Sequence, residues 1–413
     1  MKENRVNTRK LAIYIHIPFC VRKCLYCDFV SGAYGEDVKS SYVNKLLWEI
    51  EEFFSELQNG SGTGAWAENA DSDGDLESEK PEITSVFFGG GTPSILPPEE
   101  IERILCKLKE YAVFADPEIT IEVNPGTTGK PEFEKNEDGA GVFDQYKKMG
   151  INRISIGMQS SMEEELKTLG RIHTYEEFLS TLRCAKSAGF TNISADIMYA
   201  IPGQKYDSFE ETLRKAAGLD LTHISAYSLI VEAGTPFYDM ELDLPSEEEE
   251  RRMYRGAAKI LAEYGYKQYE ISNYALPGYE CRHNIAYWTR KEYAGFGVAA
   301  ASLIGNSRYT NTKSIDEYLG VSDYESLKKL RTDVEELSID DCMSETVILG
   351  LRMNRGVSDK DFYETYGKHL KDVYPDEIEK HKKEGLLSES EDGSISLTKR
   401  GRDLSNYVMA DFM

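Results

Sequence analysis

The chain has 413 residues, of which 40% are hydrophobic and 29% charged, enough to bury a large core in one α/β domain with an appendage. Its formal net charge of −24 argues against a nucleic-acid backbone as partner, because phosphate binding needs a basic face. Seven cysteines without a paired layout argue against a secreted disulfide framework, and no signal peptide or membrane-length apolar run is expected, so a reducing cytoplasm fits best.

After a charged tail over residues 1–10, Leu11–Ile17 reads as a first strand, and Val38–Leu57 has apolar residues at helical spacing. The polar, acidic segment Gln58–Lys80 predicts a disordered surface insertion. Ile83–Phe88 predicts a strand, Pro98–Tyr111 a helix and Ile119–Val123 a third strand, followed by a loop insertion over Thr127–Gly141. A fourth strand over Asn152–Gly157 precedes helices over Met162–Leu169 and Tyr175–Ser187. Asn192–Met198 and Thr222–Leu229 are the fifth and sixth strands, with helices over Ser208–Ala217 and Ser246–Tyr264 after them. Six strands alternating with helices predict a parallel sheet, here a partial (β/α)6 barrel over residues 11–265. In such a fold the working residues sit at the carboxyl ends of the strands.

At the first strand's end stand Cys20, Cys24 and Cys27, spaced C-x3-C-x2-C. Three thiolates without a fourth suit a [4Fe–4S] cluster that keeps one iron open for a substrate or cofactor. A Cys3His zinc site completed by His16, or three unrelated thiols, are the alternatives, although structural zinc sites usually pair two close knuckles. After strand two come Gly89-Gly90-Gly91-Thr92-Pro93, where a ligand can approach the backbone and amides are free to donate. Strand three carries Glu122, strand four ends at Gln159 with Arg171 beyond the next helix, and strand five carries Asp196. Charges inside apolar strands are costly unless paired or facing a polar cavity, so Glu122 and Asp196 are either structural ion pairs or ligand contacts. Polar sets at successive strand ends describe one polar mouth around the cysteine loop.

These motifs resemble the radical S-adenosylmethionine (SAM) proteins, and the chain from about Leu11 to its end is similar to the oxygen-independent coproporphyrinogen oxidase (HemN) group. The resemblance implies that SAM chelates the open iron, with contacts from Tyr14, Tyr26, Gly90, Gly91, Thr92 and Glu122. It also implies SAM contacts for Gln159, Arg171 and Asp196, a trio that holds a second SAM in the HemN enzyme. Reduction of the cluster would then cleave SAM to methionine and a 5′-deoxyadenosyl radical. The decarboxylating enzymes carry a fourth cysteine two residues after the third, where this chain has Phe29. That departure, and the short N-terminus, match the HemW branch, regarded as haem chaperones. The implied cofactors are therefore the cluster, SAM and haem, and the implied partners are haem-acceptor proteins. The alternative is oxidative decarboxylation of coproporphyrinogen III to protoporphyrinogen IX, and the family analogy also permits a homodimer linked through the cluster.

Residues 266–338 contain His283-Asn284-x-x-Tyr287-Trp288, a signature of that branch. His283 is a haem-ligand candidate, or a His-Asn pair that fastens a loop with Tyr287 and Trp288 as packing. Gly295-Phe-Gly297 and Gly305 predict tight turns. From about Ile339, helical patterns over Cys342–Arg352, Asp359–Tyr366 and Pro375–Glu384 precede a short hairpin around Asp392-Gly393 and a last helix. Helices followed by a hairpin suggest a winged-helix-like module over 339–413, expected as a cap or docking domain because acids interleave its basic residues.

Overall fold

The computed structural model describes residues 8–58, 80–127 and 141–413. The insertions expected over Gln58–Lys80 and Thr127–Gly141 lie, apart from their edges, outside the described residues. The strands are β1 (Lys10–Ile17), β2 (Glu82–Gly90), β3 (Glu118–Val123), β4 (Arg153–Gln159), β5 (Ile193–Tyr199), β6 (His223–Ser228), β7 (Lys267–Gln268) and β8 (Asn273–Ala275). They continue with β9 (Tyr293–Phe296), β10 (Ala301–Ile304), β11 (Ser307–Thr310), β12 (Thr332–Glu336), β13 (Leu387–Glu389) and β14 (Ile395–Leu397). The helices include α1 (Glu36–Gln58), α2 (Pro98–Tyr111), α3 (Val142–Met149), α4 (Glu163–Thr168), α5 (Tyr175–Ser187), α6 (Tyr206–Ala217), α7 (Glu247–Glu263) and α8 (Arg282–Trp288).

The chain forms two compact units. The first comprises Met1–Asp196, Leu229–Asp243 and Glu292–Glu335. Its sheet runs β12-β11-β10-β9-β1-β2-β3-β4-β5, and β1–β2, β2–β3, β3–β4 and β1–β9 are all parallel. The apolar run Leu11–Ile17 lies between two parallel neighbours, which is why it is nearly continuous rather than alternating. The reading of six strands was incomplete on this edge, because β9 pairs with β1 from Ala12↔Tyr293 to Ile15↔Phe296. Gly295 and Gly297 belong to that junction. A Cβ on Gly295 would lie within 3.0 Å of Ala300 and Ala301, and Gly297 adopts φ +95°.

Helix α1 buries Val43, Leu46, Ile50, Phe53 and Phe54, each contributing about 1.5–3 kcal/mol relative to exposure. It also buries an acid. Glu49 accepts bonds from the Tyr318 hydroxyl (2.6 Å), the Gly297 amide (2.8 Å) and Asn311 Nδ2 (2.7 Å). Burial pushes its pKa up, and those donors oppose the shift. Glu49 thereby fastens α1 to the chain that follows β9. In sequence it looks like any solvated glutamate of that helix.

The second unit comprises Ile197–Ser228, Leu244–Lys291 and Glu336–Met413. Strands β6, β8 and β7 pair antiparallel. Its C-terminal part has its own core of Met343, Val347, Leu351, Phe362, Ile378 and Val408. Helices there precede the antiparallel hairpin β13–β14, whose turn places Gly393 at φ +84°. Several basic residues of this module are engaged within it: Lys380 pairs with Asp411, Lys382 with Glu379 and Glu389, and Arg402 with the Leu397 carbonyl. No helix among the described residues is long and apolar enough to cross a membrane.

Candidate functional site

The cysteine loop is stitched down along its length. The Cys20 amide bonds to Gly32 O (2.9 Å) and the Gly32 amide to Pro18 O (3.0 Å), closing the loop on itself. At its middle, the Leu25 amide reaches Leu169 O (3.1 Å) and Leu25 O accepts from the Phe237 amide (3.0 Å). Cys20, Cys24 and Cys27 are half-exposed free thiols. Burial pushes the Cys27 pKa up; the bond from the Phe29 amide opposes this, and the neighbouring Cys24 and Cys20 raise it further.

Among the described residues, no three His, Cys, Asp or Glu side chains are grouped to hold a single metal ion. A four-iron cluster takes each thiolate on a different iron and so spaces the sulfurs more widely than one zinc does. His16, the fourth ligand of the zinc alternative, is buried, with Nε2 on Val30 O (2.9 Å) and Nδ1 3.3 Å from the Tyr14 hydroxyl. Both ring nitrogens are engaged.

The glycine turn after β2 has a different role from the one its composition suggests. Its amides are not free: Gly91 N–H bonds to Ile17 O (2.8 Å), Thr92 N–H to Phe19 O (2.7 Å), and Gly90 N–H to the Glu122 carboxylate. A Cβ on Gly91 would lie 2.6 Å from Phe19 O and 2.8 Å from Phe19 N, and Gly90 adopts φ +105° against the His16 ring. Glycine is required because the turn packs against the backbone that launches the cysteines. On its other side Gly89 borders Tyr14, Phe87 and Glu122.

One hydrogen-bonded ring joins the strand ends to the loop. Thr92 Oγ1 lies 3.5 Å from Cys20 Sγ and accepts from Asn124 Nδ2 at 2.6 Å. Asn124 Oδ1 accepts from Arg171 Nη2 (2.8 Å), and Arg171 Nη1 stands 3.5 Å from Cys24 Sγ. Arg171 also bonds to Gly157 O (3.1 Å), to His173 Nδ1 (3.2 Å) and to the Tyr26 hydroxyl. Burial pushes the Tyr26 pKa up, which Arg171 partly offsets. His173, desolvated and beside Arg171, has a pKa lowered to about 3, so it stays neutral and accepts from the guanidinium. Gly157 lets these groups meet, because its missing Cβ would fall about 3 Å from Asn124 Oδ1, Gln159 Nε2 and Arg171 Nη2. Gln159 itself is buried at φ +61°, a conformation that non-glycine residues rarely hold without a reason at the site.

The two carboxylates lie near enough to repel each other. Glu122 is the register partner of Ser155 on β4, and the Ser155 hydroxyl donates to Asp196 at 3.1 Å. Burial, then the like charge of Asp196, raises the Glu122 pKa to about 8; the Gly90 amide and Arg153 pull the other way.

Tyr14, Tyr26, Gly90, Gly91, Thr92, Glu122, Gln159, Arg171 and Asp196 all lie in the first unit with the three cysteines, on or just beyond β1 to β5. Asn124, Ser155 and His173 were not singled out. Asn124 follows β3 directly, so the rule that working residues sit at strand ends was signal enough to find it.

His283 lies in the second unit. It is buried on α8, with Nε2 3.0 Å from the Tyr287 hydroxyl one turn on, and the two rings meet edge to face at 4.8 Å. Trp288 is half-buried beneath the Arg352 guanidinium (4.3 Å) and packs with Tyr269, Cys281 and Met353. Phe29 is 62% exposed.

Residues 14–216 match the Radical SAM superfamily, and residues 337–404 match the HemN C-terminal domain. A protein of Bacillus subtilis named heme chaperone HemW is 32% identical over 406 residues, which is 97% of this chain and 98% of the relative. The chain belongs to the HemW branch of the radical SAM superfamily. A HemW of Escherichia coli, also named a heme chaperone, is 36% identical over 292 residues, 70% of this chain and 69% of its own. In fold, this HemW-branch chain resembles the radical SAM enzyme coproporphyrinogen III oxidase (HemN) of E. coli. The TM-score is 0.79 at 24% identity, covering 98% of this chain and 90% of that one. The α/β architecture with its large, mostly parallel sheet is thus that of the HemN fold.

Proposed function

We propose that this protein is a haem chaperone: it carries one [4Fe–4S] cluster and SAM, binds haem, and passes haem to acceptor proteins in the reducing cytoplasm. The observation that carries this reading is the match, over nearly the whole chain, to relatives named heme chaperone HemW. Phe29 supports it, since a phenylalanine stands where the decarboxylating enzymes have a cysteine.

The donor set fits the implied cofactors. Cys20, Cys24 and Cys27 hold the cluster in this reading, with Thr92 and Arg171 beside two of the sulfurs. In this reading Tyr14, Glu122, Gln159 and Asp196 supply the polar groups for the amino-acid moiety and sulfonium of SAM, with Tyr14 and Glu122 both packed against Gly89. When bound, the cluster and SAM supply one-electron chemistry, whereas the protein supplies ligation, orientation and shielding. Glu122 takes up or releases a proton near neutrality, Arg171 fixes Tyr26 and the loop, and the glycine turn holds the launch point of the cysteines. In the second unit, burial and the hydrogen bond between His283 and Tyr287 favour a fastening role for His283 over iron ligation.

Purified anaerobic protein incubated with coproporphyrinogen III, SAM and a reductant tests the reading. No protoporphyrinogen IX is expected, together with stoichiometric haem uptake. Conversion of coproporphyrinogen III would instead make the chain an enzyme. Iron and sulfide at about four each per chain are expected, and a zinc-loaded, colourless preparation would contradict the cluster assignment.

A further inference from the structure

We propose that Asn124 is the positioning residue of a directed hydrogen-bond relay that delivers one donor to the sulfur of Cys20, with Arg171 at its root also serving Cys24. The proposal rests on reading the cysteine loop as the cluster's ligands. Each link has its polarity forced by the one before. A guanidinium has only donors, so the oxygen of Asn124 must face Arg171 Nη2, at 2.8 Å. The amide nitrogen of Asn124 then faces Thr92, and Thr92 Oγ1 must accept at 2.6 Å. With that acceptor site taken by a strong donor, the Thr92 hydroxyl proton is left for Cys20 Sγ, 3.5 Å away. The second guanidinium nitrogen points at Cys24 Sγ, also 3.5 Å away.

Thiolate ligands only accept, so both sulfurs receive a donor from a chain whose direction begins at one permanently charged residue. Three of the parts are held in place by the fold. Thr92 is buried, with its amide on Phe19 O. Arg171 is clamped by Gly157 O and His173. Asn124 passes through the space left by the missing side chain of Gly157, 3.0 Å from where its Cβ would be. Donors on ligand sulfurs stabilise the added electron of a reduced cluster and so raise its potential. Asn124 touches neither sulfur, yet it decides whether Thr92 donates or accepts.

The test is a redox titration of the anaerobically reconstituted full chain, followed by electron paramagnetic resonance, on wild type, T92V, T92S, N124D and the double variant T92V/N124D. In N124D the new carboxylate accepts from Arg171 and from Thr92, so the hydroxyl turns away from Cys20. T92V should lower the potential in the wild-type background and have no further effect in the N124D background. T92S should keep the wild-type potential. Proton electron-nuclear double resonance in H2O and D2O should show one cluster-coupled exchangeable proton lost in T92V, and the same one lost in N124D. If N124D does not fold, N124S removes the donor that holds Thr92 as an acceptor without adding charge, and the T92V shift should be smaller there than in wild type. An equal T92V shift in both backgrounds, with the cluster present, overturns the relay alone. A wild-type chain that takes up no iron and sulfide overturns the cluster reading, and the relay with it.

Discussion

Arg171 stands with Nη1 3.5 Å from the sulfur of Cys24 while its other nitrogens hold Asn124, Gly157 and His173. One planar fork therefore ties the carboxyl ends of β3 and β4 to the cysteine loop. A lysine keeps the charge but offers a single point donor that cannot reach these groups together. Arg171→Lys should lower the unfolding free energy of the cluster-free protein by about 2 kcal/mol, since buried acceptors lose charge-assisted partners. Urea unfolding of the two proteins checks this, and coincident curves would reduce Arg171 to a surface charge.

The glycine turn yields a sharper contrast. Gly91→Ala places a methyl against the Phe19 backbone, which cannot move without displacing the cysteine loop. Loss of about 3 kcal/mol or more is expected, with little iron retained after reconstitution. Gly35→Ala, which meets nothing within 4 Å, should leave both unchanged. Iron content and the midpoint of denaturation report the difference, and a Gly91→Ala protein that loads like wild type would contradict the packing.

Glu122 predicts a pH dependence of known sign. Folded, it keeps its proton up to about pH 8; unfolded, it loses it near the ordinary glutamate value. Between those limits the native state binds more protons, so Glu122 makes stability fall as pH rises, by at most about 1.4 kcal/mol per pH unit. His173 acts oppositely. Its pKa is lowered to about 3, so its contribution is complete above the ordinary histidine value near 6.5 and is lost as pH falls below it. From about pH 6.5 to 8 only the Glu122 effect remains of the two. Cluster-free protein should lose stability over that interval, and Glu122→Gln should flatten the slope. An unchanged slope would place the proton elsewhere.

In the second unit, His283→Ala should leave the absorption spectrum of bound haem unchanged while costing about 1–2 kcal/mol of stability, because Tyr287 loses its partner. Tyr287→Phe should reproduce much of that cost. A changed haem spectrum in His283→Ala with the fold intact would restore His283 as an axial ligand.

Much of the fold was legible because its signals are local. The alternation of apolar runs and helical spacings set β1 to β6 and the helices between them except α3, and the strand-end rule pointed to Glu122, Gln159, Arg171 and Asp196, which all fall in one unit. What was not legible depends on long-range partners. Nothing near Tyr293–Phe296 announces that it pairs with β1, some 280 residues earlier. Glu49 is distinguished from its exposed neighbours only by Tyr318, Gly297 and Asn311, which arrive from the far end of the unit. The glycines after β2 read as a ligand cradle, whereas two of the turn's amides are spent on β1 and its loop, a contact visible only once the two strands lie side by side. Helix α3 was hidden in the approach to β4, where Gly141 at its start looked like the end of a loop.

Delivery of haem is the property on which the proposed function rests. Its most direct test is to load the anaerobic, cluster-containing protein with one equivalent of haem, mix it with an excess of an apo-haemoprotein, and follow the absorption of each. Haem should bind stoichiometrically and then move to the acceptor faster than free haem released by simple dissociation allows. Failure to bind haem, or transfer no faster than spontaneous release, would contradict the proposed function.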